Sequence, residues 1–259
     1  MPQLRRWSTE ADAIAGLFPA EYERIILNTV DSTMLEAARR APDLTRPTWI
    51  LAKSQSSGRG RQGRNWAMPN GNFAATLVLS PNCTALEAAQ RSFLASNALL
   101  KALALYTPIE RLKVKWPNDV LLAGGKVAGI LLEAQGQGGQ VDQLMIGIGV
   151  NLASVPESVE DALFRPVALT QYGEAVDSER FLIDLASNYA IQEKTFAQFG
   201  FDRIREDWLQ RAARIGEVIK ARTPKETIHG IFETIDASGN LVLGTPRGQK
   251  TIPAADVYF

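Results

Sequence analysis

A chain of 259 residues, 46% hydrophobic and 22% charged, has the make-up of an ordinary globular protein and the length for one large domain with a small appendage. Lys+Arg and Asp+Glu both number 28, a zero net charge that argues against a surface built to coat nucleic acid or an anionic membrane. One cysteine, Cys83, excludes an internal disulfide, and with one histidine, His229, it leaves no zinc cluster. The first seven residues lack an apolar stretch of signal-peptide length and no apolar run is long enough to cross a bilayer, while the lone cysteine fits the reducing cytoplasm that is the expected setting.

In chain order, residues 21 to 30 read as a strand, and Asp31-Ser32-Thr33 then opens an alanine-rich helix. Thr33 and Glu36 have capping-box spacing. Ser32 and Thr33 are either caps alone or hydroxyls offered to a ligand at the positive end of the helix. Residues 48 to 52 form a short buried strand that leads through Gln55 into Gly58-Arg59-Gly60-Arg61-Gln62-Gly63-Arg64-Asn65-Trp66. Glycine lets main-chain N–H groups approach a ligand closely, and each arginine carries a planar cationic fork for carboxylate or phosphate. Taken alone, this loop reads equally as a solvated basic segment or an arginine-glycine nucleic-acid binder. Residues 72 to 79 form a returning strand, which pins the loop to a sheet at both ends.

Residues 85 to 106 form a helix with Leu86, Phe93 and Leu100 at heptad spacing and Leu94, Leu99 and Leu103 widening the stripe. Residues 112 to 133 read as a hairpin: 112 to 116 continues past Pro117-Asn118-Asp119 into 120 to 122, turns at Ala123-Gly124-Gly125 and returns from Lys126 to Glu133. After a turn at 136 to 139, residues 144 to 151 form a strand holding Gly147 and Gly149, and glycine inside a strand marks close approach of a ligand or another backbone. An irregular stretch, 154 to 165, precedes a long helix capped at Asp177 or Ser178 and a further helical piece near Ile204 and Trp208. From Gly216 the period becomes two, with strands at 217–220, 227–234, 241–243 and 249–252, the pattern of a small β-barrel.

Four stretches fall at strand ends or turns: 31–33, Gln55 with the arginine loop, 115–119 with Lys126, and the Gly147/Gly149 strand. They supply cations, a carboxylate, amides, glycines and aromatic surface from Trp66 and Trp116, a set suited to an anionic, partly apolar ligand with phosphates. The GxxxxGKS/T phosphate loop is absent.

The ordered motifs DST at 31–33, GRGRQGRNW at 58–66, KWPND at 115–119, KVAGILLE at 126–133 and GIGVN at 147–151 resemble those of biotin protein ligases. The resemblance implies an α+β fold, a mixed sheet with flanking helices as in lipoate ligases, followed by a small SH3-like β-barrel, with a catalytic core over 1–212 and a C-terminal domain over 213–259. It implies two steps: biotin attacks the α-phosphate of Mg-ATP to give biotinyl-5′-AMP and pyrophosphate, then a lysine of a biotin carboxyl carrier domain takes the biotin. Ser32, Thr33 and Gln55 match polar contacts to the biotin ureido ring. Gly58, Arg59, Arg61, Trp66, Lys126, Gly129, Leu131 and Gly147 match the rest of the biotin site. Arg61, Arg64, Lys115, Asn118, Asp119, Lys126 and Asn151 match the nucleotide side, with Asp119 the group for Mg²⁺, directly or through water. Lys126, Arg61 and Arg59 are the expected catalytic residues, and the arginine loop a mobile lid.

The expected partner is the carrier protein of acetyl-CoA carboxylase or a related carboxylase, with a homodimer as a family assembly. About twenty residues precede the first core strand, too few for the DNA-binding domain of some relatives, so no DNA partner is expected. Met34 stands where relatives often have asparagine and Ala74 where an aromatic is common. Between residues 154 and 168 no aromatic lid is matched, and Pro166 is the remaining candidate. The rival readings are a lipoate or octanoyl ligase on the same core and a non-catalytic biotin or nucleotide sensor. Intact Lys126, Arg59, Arg61 and Asp119 argue against the sensor.

Overall fold

The computed structural model describes residues 18–156 and 164–259. Its main sheet contains β1 (Glu23–Val30), β2 (Thr48–Gln55), β3 (Phe73–Leu79), β5 (Leu112–Lys115), β6 (Asp119–Leu122), β7 (Gly125–Gln135) and β9 (Gln143–Val150), while β4 (Cys83–Thr84) and β8 (Gln140–Val141) form a two-stranded ribbon. The order across the main sheet is β1-β2-β3-β9-β7-β6-β5. β1 and β2 run parallel, joined by a crossover through helix α1 (Thr33–Arg40), and every other neighbouring pair is antiparallel. The sheet is therefore mixed, as expected.

Alternation along the strands divides the core between two faces. Trp49 and Leu51 on β2, with Phe73 and Leu77 on β3, point to the face covered by helices α2 (Ala85–Leu103) and α3 (Ser178–Leu209), where they meet Leu94, Leu99, Phe181 and Tyr189. Ile50 and Val78 point to the other face and pack under α1 against Met34, Ala37 and Met145. The rest of that second face is left open for the site.

Local chemistry departs from the sequence reading in three places. At α1 the cap is Ser32, whose Oγ accepts from the Met34 N–H at 3.3 Å. Glu36 reaches forward to Arg39 and Arg40 at 2.7 and 2.5 Å, so Thr33 and Glu36 form no capping box. On α2 a capping box does form between Thr84 and Glu87, and Leu86 in that first turn is 46% exposed, so the buried stripe starts later, at Phe93. Residues 112 to 122 do not continue as one strand. The chain reverses at Trp116-Pro117-Asn118, pairing Lys115 with Asp119, because Pro117 has no N–H to extend a ladder.

The C-terminal sheet is antiparallel in the order β13-β12-β11-β10-β14, built from β10 (Val218–Arg222), β11 (Thr227–Ile235), β12 (Leu241–Thr245), β13 (Gly248–Ile252) and β14 (Asp256–Tyr258). It fits a small SH3-like fold. The three-residue β14 was not foreseen, being too short to show a period. The end of β11 and the turn after it are fastened to the main body by side chains bonding to their backbone: Trp116 Nε1 donates to Gly239 O at 3.0 Å, Gln90 Nε2 to Ala237 O at 3.1 Å, and Arg205 Nη1 to Ile235 O at 3.1 Å. Trp116 is thus buried core and offers no surface to a ligand.

Candidate active site

One row of residues across five strands makes the floor of the site. Lys115 pairs with Asp119, Asp119 with Gly129, Gly129 with Gly149, and Gly149 with Ala74. Residues opposite one another share a face, so three small residues leave a trench that ends in a lysine–aspartate pair. The next row, Leu131-Gly147-Thr76, extends the floor, and the Thr76 hydroxyl donates to Thr33 Oγ1 at 2.9 Å, tying it to the start of α1. The resulting cleft has a volume of about 570 Å³.

Two side chains lie in the trench where the glycines lack Cβ atoms. A Cβ on Gly149 would fall 2.4 Å from Trp66 Cε2, and one on Gly147 would fall 2.6 Å from Met34 Sδ. Trp66 therefore lies over Gly149 and Gly129, while Met34 fills the space over Gly147. Ala74 lines the cleft beside them, where a larger side chain would shorten the trench.

The arginine loop is a small hairpin, closed by Trp66 N–H to Gly58 O at 2.9 Å and Gly60 N–H to Arg64 O at 2.8 Å. Its three guanidiniums diverge to separate acceptors. Arg59 Nη1 lies 3.5 Å from Glu133 Oε1, Arg61 Nη1 donates to Asn118 Oδ1 at 3.1 Å, and Arg64 Nη2 lies 2.8 Å from Asp256 Oδ2. Burial pulls the Arg61 guanidinium below its ordinary value, opposed by Asp256 and Asp119, and it stays charged at neutral pH. Gly58 lies behind the cleft, on an outer hollow with Ser56 and Ser57. A Cβ there would fall 2.3 Å from Trp66 O and 2.4 Å from Gln55 Nε2, so Gly58 serves the site by letting the loop close on Gln55.

At the cationic end, Asp119 Oδ1 lies 2.6 Å from Lys126 Nζ, an ion pair without hydrogen-bond geometry at that oxygen, and Oδ2 accepts from Lys115 Nζ at 3.4 Å. Burial pushes the Asp119 carboxyl up, but Lys126 and Lys115 more than reverse this and hold it below the ordinary carboxylate range. Burial dominates at Lys115 and draws its ammonium down, against the pull of Asp119. With a lysine ammonium facing each oxygen, Asp119 suits the water-mediated form of the expected Mg²⁺ contact better than direct ligation. No group of three His, Cys, Asp or Glu able to hold a metal occurs among the described residues.

The amide side chains divide into committed and available groups. Asn118 donates from Nδ2 to Ile130 O at 2.6 Å and accepts from Arg61, so it orients that arginine and has little left for a nucleotide. Asn151 gives Nδ2 to Val167 O at 3.1 Å and keeps Oδ1 buried without a protein donor, an acceptor awaiting one. Gln55 Oε1 accepts from the Thr33 N–H at 3.3 Å, which leaves its Nε2 as a donor. Arg39 binds Asp31 beside this corner and draws its carboxyl down to about 2.

Apart from Gly58, every residue expected at the biotin or nucleotide site lines the cleft. Pro166 lines it too, and its stretch pairs with Lys126. Sequence reasoning missed Phe164, whose ring lies 4.6 Å from Lys115 Nζ, and Asp256 and Val257 from β14. Phe164 is thus an aromatic residue between 154 and 168 that lines the cleft. His229 on β11 and Cys83 on β4, whose thiol burial pushes up, stand outside the cleft.

Comparison with known proteins agrees with this geometry. The biotin/lipoate A/B protein ligase family matches residues 26–151, and the biotin protein ligase C-terminal domain matches residues 215–259. The biotin–[acetyl-CoA-carboxylase] ligase of Paracoccus denitrificans is 52% identical over 238 residues, spanning 90% of this chain and 99% of that one. The bifunctional ligase/repressor BirA of Bacillus subtilis is 32% identical, over 90% of this chain and 71% of that protein. The structure of the Aquifex aeolicus biotin protein ligase in complex with biotin and ATP is similar with a TM-score of 0.75 at 25% identity, covering 91% of this chain and 97% of that one. A sequence match across both sheets and a shared fold lead to one conclusion: the chain belongs to the biotin protein ligase family.

Proposed function

We propose that the protein is a biotin–protein ligase that joins biotin to ATP as biotinyl-5′-AMP and passes the biotin to a lysine of a biotin carboxyl carrier domain. The observation that carries this reading is the continuity of the cleft. An apolar wall of Trp66, Met34, Ala74 and Leu131 along the glycine-bearing strands runs directly into Lys126, Lys115 and Arg61. A neutral bicyclic ligand with a carboxylate tail matches that order of surfaces.

In this reading Ser32, Thr33 and Gln55 hold the ureido ring at the α1 end, since a desolvated urea needs its donors and acceptors paired. Trp66, Gly129, Leu131 and Gly147 wall the ring and chain. The carboxylate oxygen attacks the α-phosphorus, the bond to the β-phosphate oxygen breaks, and pyrophosphate leaves. Lys126, Arg61 and Arg59 face the charge gathering on the phosphoryl oxygens, where fixed cations away from water lower the barrier most. Arg59 leaves Glu133 to do so. Lys115 and Arg64 add to the cationic end, and Asn151 Oδ1 suits an amino donor of the adenine base. Asn118 holds Arg61 and Asp119 holds Lys126. Mg²⁺ bound with the nucleotide would neutralise phosphate charge, and Asp119, with a lysine facing each oxygen, would reach it through water.

In the second step the carrier lysine amine attacks the anhydride carbonyl and AMP leaves. The carrier of acetyl-CoA carboxylase or a related carboxylase, a cytoplasmic setting, and a division into a core over 1–212 and a C-terminal domain over 213–259 belong to the same proposal. The test is exchange of labelled pyrophosphate into ATP, which should require biotin and not proceed with lipoate. A folded protein that shows no biotin-dependent exchange sinks the ligase reading.

A further inference from the structure

β14 is the shortest strand of the C-terminal sheet, yet it reaches the cleft on two sides. Its Asp256 is a carboxylate only 7% exposed that contributes nothing apolar to its own sheet. Arg222 stands opposite it on β10, with Nη2 3.9 Å away, but the close partner is Arg64 of the arginine loop at 2.8 Å, 192 positions earlier in the chain. Arg64 is also the residue whose carbonyl closes the loop on the Gly60 N–H. Fixing Arg64 therefore fixes the hairpin and, two residues on, Trp66 over the trench. A charge-assisted bond to a buried carboxylate is stronger than an exposed ion pair, because water competes less for it.

The second contact is made just beyond β14. Phe259 meets Phe164 edge to face at a centroid separation of 5.0 Å, and the Arg214 guanidinium covers the Phe259 ring at 5.4 Å. Phe164 in turn lies against Lys115 at the cationic end of the cleft. The arginine loop and the stretch holding Phe164 cover the cleft from different parts of the chain, and both are held by residues 256–259.

We propose that β14 is a strap across the ligand cleft, with Asp256 the positioning residue for the arginine loop and Phe259 the positioning residue for Phe164. Its effect on catalysis rests on the ligase reading above, since the loop would retain biotinyl-5′-AMP; its effect on the loop does not. Asp256→Asn removes the charge at constant shape, so backbone amide hydrogen exchange at Gly60 and Trp66 in the ligand-free protein should quicken about tenfold, the size of one charged hydrogen bond. Release of biotinyl-5′-AMP into solution should rise by a similar factor, with Asp256→Glu restoring part of the protection. Phe259→Ala should raise the KM for ATP while leaving exchange at Gly60 unchanged. A folded Asp256→Asn protein with wild-type exchange at Gly60 and Trp66 overturns the strap. So does an unchanged KM for ATP in Phe259→Ala. If the wild type shows no biotin-dependent pyrophosphate exchange, the ligase reading fails, and amide exchange alone then decides the strap.

Discussion

Asp119 keeps its charge while almost fully buried because Lys126 lies 2.6 Å from one oxygen and Lys115 3.4 Å from the other. Removing one member of such a group strands the rest. Asp119→Ala leaves Lys115 buried without a counter-ion, and breaking a buried pair this way costs about 3 kcal/mol or more. Adding Lys115→Met should recover most of that loss, because an apolar chain of similar shape needs no partner. Chemical denaturation of the single and double variants checks both values. The pH dependence has a definite sign. The folded carboxyl of Asp119 titrates below its unfolded counterpart, so its stabilisation is complete above the ordinary aspartate value near ~4 and fades as pH falls through the lowered folded value. The stability gap between wild type and Asp119→Ala should therefore be flat from about pH 5 to 7 and shrink below about pH 4. Lys115 acts in the same direction at the alkaline end: its folded ammonium is the weaker proton holder, so stability rises with pH between its lowered value and that of an unfolded lysine.

At the level of elements, the site is a matter of strand register. The sequence marked Gly129, Gly147, Asp119 and Lys115 as residues of interest, and the arginine loop by its composition. It did not show that Lys115, Asp119, Gly129, Gly149 and Ala74 form one row, because that depends on which strands pair and in what register. The reversal at Pro117 hid for the same reason: residues 112 to 122 are apolar enough to pass for one strand with an interruption. Strong local signals were read correctly, such as the Asp177 cap of α3, whose Oδ1 accepts from Glu179 and Arg180 N–H groups at 2.9 and 3.0 Å. Phe164 and Asp256 carry no local signal, since each owes its place to contacts with distant residues. The row makes a specific demand at Gly149. A methyl there must push Trp66 off the floor, as the two would be 2.4 Å apart. Gly149→Ala should fold with a stability change of about 1 kcal/mol, raise the KM for biotin at least tenfold, and change the KM for ATP little. Equal increases in both would show that Trp66 serves the whole cleft rather than the trench.

Across the whole molecule, the C-terminal sheet is packed as part of the body rather than tethered to it. Ile219, Phe232, Leu241 and Leu243 belong to the same buried cluster as Phe93 and Trp208. The strap needs this, since Asp256 can hold Arg64 only if β14 has a fixed place relative to the arginine loop. The point where the two sheets are keyed together is Gly239. Its φ of +81° favours glycine, its carbonyl accepts the Trp116 indole N–H, and a Cβ would fall 2.7 Å from Phe93 Cε2 on α2. Phe93 cannot yield easily, because Phe201 and Trp208 hold it edge to face at 5.3 and 5.4 Å. Gly239→Ala therefore combines a strained backbone with overpacking at the junction, a loss of about 2–4 kcal/mol. If the sheets share one core, calorimetry of this variant should show a single transition at lower temperature, with amide protection falling together on β3 and β11. A transition that splits, with β11 losing protection while β3 keeps it, would make the C-terminal sheet an independent unit and leave the strap without an anchor.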